Sequence, residues 1–181
     1  AGKGVVVAAT EKEAIEAAKS MLEDRIFGSA GNKIIIEECL EGEEVSILGM
    51  TDGKKIIMLD TSQDHKRVFN GDKGPNTGGM GAYSPASLID KKQLDEIKKT
   101  ILEPTIEGLR KEGMSFKGIL YAGLMITKTG PKVLEYNVRF GDPETQAILP
   151  RLKSDILDMF EEVAGGKIEH TSARWEKGTS V

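Results

Sequence analysis

The sequence predicts an α+β fold in which antiparallel sheets carry packed helices. Three observations lead there. Strand-like and helical segments are mixed rather than alternating as crossover units. The strand-like runs are joined by tight turns such as Asp52-Gly53 and Lys128-Thr129-Gly130. The composition, 39% hydrophobic and 30% charged over 181 residues, supplies one substantial core and is too balanced for a disordered chain.

Val5 to Ala9 reads as a short strand. Thr10, with Glu13 three residues later, makes a capping box for a helix to about Glu23 with Ile15, Ala18 and Leu22 on one face. Lys33 to Glu38 is an Ile run suited to a buried strand, and strands at Glu44 to Met50 and Lys55 to Leu59 flank the Asp52-Gly53 turn. From Asp60 to Leu88 periodicity is lost over a length that marks a functional or disordered segment. A helical pattern returns over Asp90 to Lys111, where Pro104 is expected to kink or split it. Gly118 to Ile126 and Lys132 to Phe140 read as strands, and Glu144 to Leu149 and Asp155 to Ala164 as helices.

A net charge of −4 disfavours a sequence-independent grip on nucleic acid, which needs a dense basic face. The single cysteine, Cys39, excludes an internal disulfide and is expected as a small buried hydrophobe. No apolar stretch approaches the roughly 20 residues of a membrane span, and no signal peptide opens the chain, so a cytoplasmic location is expected. Ala1-Gly2-Lys3-Gly4 running straight into Val5-Val6-Val7, without Met, and an uncapped end at Val181 point to a piece of a longer protein.

The most informative segment is Lys132 to Phe140. Strand alternation puts Leu134, Tyr136, Val138 and Phe140 on an apolar face suited to a core, and Val133, Glu135, Asn137 and Arg139 on the other. Glu and Asn offer the hard oxygen ligands that Mg²⁺ takes when shared with phosphates, and Arg can fork onto a phosphate or carboxylate. The plain alternative is a solvated strand face. Gly141-Asp142-Pro143-Glu144-Thr145 then reads as a turn into a helix, with acidic residues suited to the helix N-terminus. The aperiodic stretch holds Gln63-Asp64-His65-Lys66-Arg67 and the glycine-rich run Gly71 to Gly81. There, close-approaching backbone amides and adjacent cations suit a phosphate-bearing substrate, against the alternative of a flexible surface loop. Gly2-Lys3-Gly4 is not a Walker A loop, and two histidines, His65 and His170, argue against a His-rich zinc site. Ile36 to Glu44 ends one strand and enters the next; it suits a planar ligand on exposed backbone or merely an acidic hairpin end.

Together these segments resemble the ATP-grasp superfamily and, within it, the phosphoribosylamine-glycine ligase family. The likeness covers almost the whole chain. Gly74-Pro75-Asn76-Thr77-Gly78-Gly79-Met80-Gly81 and Leu134-Glu135-Tyr136-Asn137-Val138-Arg139-Phe140-Gly141-Asp142-Pro143-Glu144 carry it most specifically. The resemblance implies an α+β ATP-grasp fold of two lobes, each with an antiparallel-rich sheet and packed helices. Residues 1–50 would be the small lobe, incomplete at its N-terminus, 51–165 the large lobe, and 166–181 the start of a truncated C-terminal region. N- and C-terminal domains of a parent chain would be missing.

The resemblance also implies cofactors and sites. Glu135 and Asn137 would bind Mg²⁺, with Mn²⁺ as an alternative. Lys3, Glu37, Glu38, Leu40 and Glu44 would bind ATP, with Glu44 on the ribose. Asp64, His65, Lys66, Arg67, Asp72, Lys73, Pro75, Asn76, Thr77, Gly78, Gly79, Asp142 and Glu144 would contact substrate, and Arg139 and Lys66 would act in catalysis. Many ATP-grasp enzymes carry an acidic metal ligand on the preceding strand, where this chain has Ala122-Gly123-Leu124. The implied reaction joins glycine to 5-phosphoribosylamine through glycyl phosphate, giving glycinamide ribonucleotide, ADP and phosphate in purine synthesis. The alternatives are another ATP-grasp carboxylate-amine ligase, or a fragment that binds nucleotide without turnover.

Overall fold

The computed structural model describes residues 4–71, 73–77, 79–170 and 172–181. The chain divides into two compact units, Ala1–Leu40 and Glu41–Val181.

The first unit is built on helix α1 (Glu11–Leu22). The Thr10 side chain accepts from the Glu13 amide at 3.2 Å, and the Glu13 carboxylate accepts from the Ala9 amide at 2.8 Å. These bonds satisfy donors that the helix start leaves open. A 3₁₀ turn, Gly28–Asn32, follows. Gly31 lies so close to the Met21 carbonyl that an added Cβ would sit 2.4 Å from it. The two strands expected at Val5 to Ala9 and Lys33 to Glu38 do not form. Neither run has a ladder partner among the described residues, and Ile35 and Ile36 are 80% and 85% exposed. An apolar run supplies side chains for a strand but not a partner for its amides and carbonyls. Cys39 is exposed as well, contrary to the expectation of burial.

The second unit opens with β1 (Glu43–Thr51), which turns through Asp52-Gly53 into β2 (Ile56–Met58). The Asp52 carboxylate accepts from the Lys54 and Lys55 amides at 2.8 and 2.7 Å and fixes that turn. The aperiodic stretch is a long, irregular hairpin. Its outer pair is β3 (Gln63–Asp64) with a later strand, and its inner pair is β4 (Arg67–Phe69) with β5 (Lys73–Asn76); the outer partner is β6 (Ala82–Tyr83). Strands of two to four residues broken by glycines leave no period to read.

Helices α2 (Lys91–Ile97) and α3 (Glu103–Lys111) are joined by a π-helical turn, Lys98–Leu102. Pro104 does not break the helix there; the widened turn precedes the residue that cannot donate. β7 (Gly118–Thr127), β8 (Gly130–Asn137), α4 (Glu144–Ile148) and α5 (Ile156–Gly165) complete the unit. The central sheet has the order β2-β1-β7-β8, all antiparallel.

Alternation along β1 and β7 sends side chains to two cores. Val45, Ile47, Leu120, Ala122 and Leu124 pack against Ile97, Leu102 and Ile106 of the α2–α3 layer. Leu48, Met50, Ile119 and Tyr121 pack with Ile148, Met159 and Val163 of α4 and α5. Each fully buried aliphatic side chain contributes about 1.5–3 kcal/mol, so this helix-sheet-helix sandwich holds the site. The compact units divide at Leu40, and Glu43–Thr51 is paired with β7 along its whole length.

The chain's far end is tied in by Arg151. Its guanidinium donates to the Asp60 carboxylate, to Ser84 Oγ at 3.1 Å and to the Glu176 carbonyl at 3.0 Å.

Candidate functional site

The face of the central sheet that meets α4 and α5 is apolar at one end and polar at the other. Register explains the polar end. Ser46, Gly123 and Glu135 stand opposite one another across β1, β7 and β8, and Leu48, Tyr121 and Asn137 form the adjacent row on the same face. Glu44 lies one step further along β1. Past β2, the chain re-joins the edge of β1, with Ser46 and Ser62 exchanging backbone hydrogen bonds at 2.8 and 3.2 Å. Continuing that antiparallel register brings Asp64 beside Glu44.

A bulge opposite Gly123 and Leu124 changes the expected faces of β8. Glu135 pairs with Gly123 but Val133 pairs with Leu124, so Val133 points to the opposite side from Glu135. The supposed apolar face is not buried: Leu134, Tyr136 and Val138 are 37%, 43% and 69% exposed. β8 is an edge strand of this sheet, and α3 covers it only in part, where Tyr136 Oη meets Thr105 Oγ1 at 2.8 Å. The strand ends at Asn137. Arg139 lies beyond it, exposed, donating to the Phe140 carbonyl at 2.7 Å.

Glu135 and Asn137 are half-buried and adjacent, the Asn137 amide donating to Glu135 Oε1 at 3.2 Å. A Cβ on Gly123 would lie 3.2 Å from Glu135 Cγ, so Glu135 lies across the bare backbone of its neighbour. The donor set suits Mg²⁺: two hard oxygen ligands leave the remaining positions to phosphate and water. Among the described residues no three His, Cys, Asp or Glu side chains form a group that could hold a metal ion by themselves.

Lys66 stands amid carboxylates. Its Nζ lies 2.9 Å from Glu44 Oε2. Burial alone would lower the Lys66 pKa, but the Glu44 hydrogen bond and the charges of Glu44, Glu135 and Asp64 outweigh it and hold it above the usual range. Asp64 is 8% exposed, and its Oδ1 has no hydrogen-bond partner among the described residues. Burial first and the charge of Glu144 second push its pKa up to about 6 against the pull of Lys66. The glycine-rich arm closes over it: Gly79, at φ +131, leaves only 3.0 Å between a hypothetical Cβ and Asp64 Oδ1. Thr77 holds that arm, its amide and hydroxyl donating to the Lys66 carbonyl at 2.7 and 2.8 Å.

Glu144, read from the sequence as a helix-start residue and placed by the resemblance among the substrate contacts, is inside the protein at 2% exposure. Its Oε1 accepts from Ser46 Oγ at 2.9 Å and Tyr121 Oη at 2.8 Å, and the two hydroxyls are 2.9 Å apart. Burial, with the Glu144 charge beside it, pushes the Tyr121 phenol pKa well up, so it remains a neutral donor. Its other oxygen, Oε2, packs on Gly141, where a Cβ would approach to 2.2 Å.

The structure thus gathers Glu44, Asp64, Lys66, Glu135, Asn137 and Glu144. His65 is exposed, its amide bonded to the Gly81 carbonyl and its ring 5.9 Å from that of Tyr83. Asp142 is exposed and accepts from Gln146 at 2.8 Å. Arg67, Lys73, Pro75 and Asn76 lie in the β4–β5 hairpin, whose backbone alone is described for them. Lys3, Asp72 and Gly78 lie outside the described residues. Glu37 and Glu38, both exposed, and the half-buried Leu40 belong to the first unit. Sequence reasoning missed Ser46 and Tyr121. Their signal is a hydroxyl inside an apolar strand, Val45-Ser46-Ile47-Leu48 and Ile119-Leu120-Tyr121-Ala122, because such a group is buried only with a partner.

Two surface clefts, of about 580 Å³ beside Asp158 and His170 and about 450 Å³ beside Lys55 and Lys98, contain none of these residues. No helix among the described residues is long and apolar enough to cross a membrane.

Residues 1–145 match the model of the phosphoribosylglycinamide synthetase ATP-grasp (A) domain. The chain is 49% identical to a phosphoribosylamine-glycine ligase of Vibrio cholerae over 182 residues, covering 100% of this chain and 42% of that one. It is 54% identical to the trifunctional purine biosynthetic protein adenosine-3 of Gallus gallus over 181 residues, covering 100% of this chain and 18% of that one. The chain therefore spans less than half the length of these relatives. Among solved structures, a phosphoribosylamine-glycine ligase from Thermotoga maritima superposes with a TM-score of 0.85 at 32% identity, over 98% of this chain and 44% of that one. A biotin carboxylase of Campylobacter jejuni shares the fold at a TM-score of 0.71 and 17% identity, over 98% of this chain and 38% of that one.

Proposed function

This chain belongs to the phosphoribosylglycinamide synthetase ATP-grasp (A) domain family, and from that premise we propose that it carries the ATP- and Mg²⁺-binding centre of a phosphoribosylamine-glycine ligase. The observation that carries the reading is the placement of Glu135 and Asn137 on one sheet face, with Lys66 drawn in among Glu44, Asp64 and Glu135. Glu135 and Asn137 would hold the Mg²⁺, which would supply charge neutralisation at the nucleotide's phosphates. Glu37, Glu38, Leu40, Glu44 and Lys3 serve ATP. The Asp64 to Gly79 arm and Asp142 serve the substrates, and the protein acts in the cytoplasm on glycine and 5-phosphoribosylamine.

In the reaction, a glycine carboxylate oxygen attacks the γ-phosphorus of ATP and ADP leaves. The amine of phosphoribosylamine then attacks the carbonyl of glycyl phosphate, a proton is lost from nitrogen and phosphate departs. A carboxylate is a poor electrophile, so activation precedes amide formation. The chain's own residues orient and neutralise: Lys66 holds Glu44 in place and offsets the local negative charge, and the exposed Arg139 is a cation available to substrate or transferred phosphate. The electronegative floor around Asp64 accepts hydrogen-bond donors, which suits an amine more than a phosphate.

The test is glycine-dependent release of ADP by the full-length protein, with hydroxylamine trapping the acyl phosphate as glycine hydroxamate. Hydroxamate formed only with glycine and ATP supports the reading. The same yield with other amino acids would favour another carboxylate-amine ligase, and ATP binding without any hydroxamate would favour a non-catalytic nucleotide-binding module.

A further inference from the structure

We infer that Glu144 is a positioning residue: with Ser46 and Tyr121 it forms a buried clamp that sets the geometry of Glu135 and Asn137, and it does not touch substrate. The inference rests on the reading of Glu135 and Asn137 as the metal-holding pair.

The geometry is specific. Ser46 stands in the same cross-strand row as Glu135, with only Gly123 between them, and Tyr121 stands directly opposite Asn137. The two hydroxyls that Glu144 engages therefore occupy the same two rows, on the same face, as the two proposed ligands. Glu144 comes from α4, the element that follows the turn leaving β8. One carboxylate oxygen thus ties β1, β7 and the chain just past β8 together, at 2.8 and 2.9 Å. The other oxygen, packed on Gly141, anchors that turn.

Burial accounts for the strength of the clamp and for its chemistry. Glu144, Ser46 and Tyr121 are 2%, 4% and 4% exposed, so a ligand does not reach the carboxylate without unpacking the core. A buried carboxylate is costly, and an apolar side chain would fill the space at lower cost. What the carboxylate adds is directionality: two charge-assisted bonds from hydroxyls of different strands fix their relative position as packing alone does not. Gly123 has no side chain between Ser46 and Glu135, so the two stand in one row across bare backbone.

The experiment uses the full-length protein, Mn²⁺ as the probe and electron paramagnetic resonance to titrate Mn²⁺ in the presence of ATP. Glu144→Gln and Tyr121→Phe are each expected to weaken Mn²⁺ binding about five-fold or more. The double variant is expected to be little worse than the worse single one, because both act through one clamp. The KM for the amine substrate should change less than two-fold. Mn²⁺ affinity unchanged in both variants, with only the melting temperature lowered, would reduce the cluster to core packing and overturn the inference. A raised amine KM in Glu144→Gln with Tyr121→Phe silent would overturn it too, by making Glu144 a substrate contact. Absence of ATP-dependent Mn²⁺ binding in the unsubstituted protein would instead sink the metal reading and this inference with it.

Discussion

Lys66 Nζ lies 2.9 Å from Glu44 Oε2, joining the glycine-rich arm to the first strand of the central sheet. One partner was expected to serve the phosphorylated substrate and the other the nucleotide, so the pair links the two ligands' residues. Lys66→Ala removes a charge-assisted bond of about 1.5–3 kcal/mol and leaves Glu44, Asp64 and Glu135 without their shared cation. We expect KM to rise about ten-fold or more for phosphoribosylamine and several-fold for ATP in the full-length protein. Steady-state kinetics with each substrate varied in turn would check this; an unchanged ATP KM would show that the pair does not hold Glu44.

Glu135 and Asn137 are the two oxygen-bearing side chains brought together at the end of β8. Glu135→Gln combined with Asn137→Ala is expected to abolish Mg²⁺-dependent ATP turnover while leaving the melting temperature within a few degrees, since both side chains are half-buried and outside the two apolar cores. Turnover at the original rate would remove the metal assignment.

Asp64 makes stability depend on pH in an unusual direction for a carboxylate. Its folded pKa is raised from 3.8 to about 6, so the folded state binds the proton more tightly than the unfolded chain. Its favourable contribution is complete below about pH 3.8 and is lost as pH rises through about 6. At neutral pH the ionised group costs up to about 3 kcal/mol, at about 1.4 kcal/mol per unit. Asp64→Asn should therefore raise the melting temperature at pH 8 and change it little at pH 4. Calorimetric scans at both values would show it, and equal shifts at both would contradict the assignment.

Arg151 and Asp60 form an ion pair whose side chains are 10% and 19% exposed. Removing one partner leaves the other charge buried, which costs about 3–5 kcal/mol. Arg151→Ala also abandons the Glu176 carbonyl, so we expect the segment near Trp175, bridged to Leu152, to lose protection first in hydrogen exchange. Protection lost uniformly across the second unit would show that this end is not a separate element.

The sequence alone determined the α+β class, the Thr10 cap and the Asp52-Gly53 hairpin, because each rests on local chemistry: a side chain that caps, a turn residue, an apolar period. It also put Glu135 and Asn137 on one face, since alternation is local between bulges. Tertiary structure decided the rest. The bulge at Gly123 and Leu124 turned Val133 away from Glu135, and the strand's end at Asn137 left Arg139 outside the ladder. Partner strands decided that Ile34-Ile35-Ile36 would not become a strand, whereas the two-residue strands of the glycine-rich arm would. The Ser46–Tyr121–Glu144 clamp spans 98 residues of sequence between its ends. No local pattern encodes that contact: it follows from the register of β1 on β7 and the return of α4 over their shared face, which burial of two apolar cores brings about.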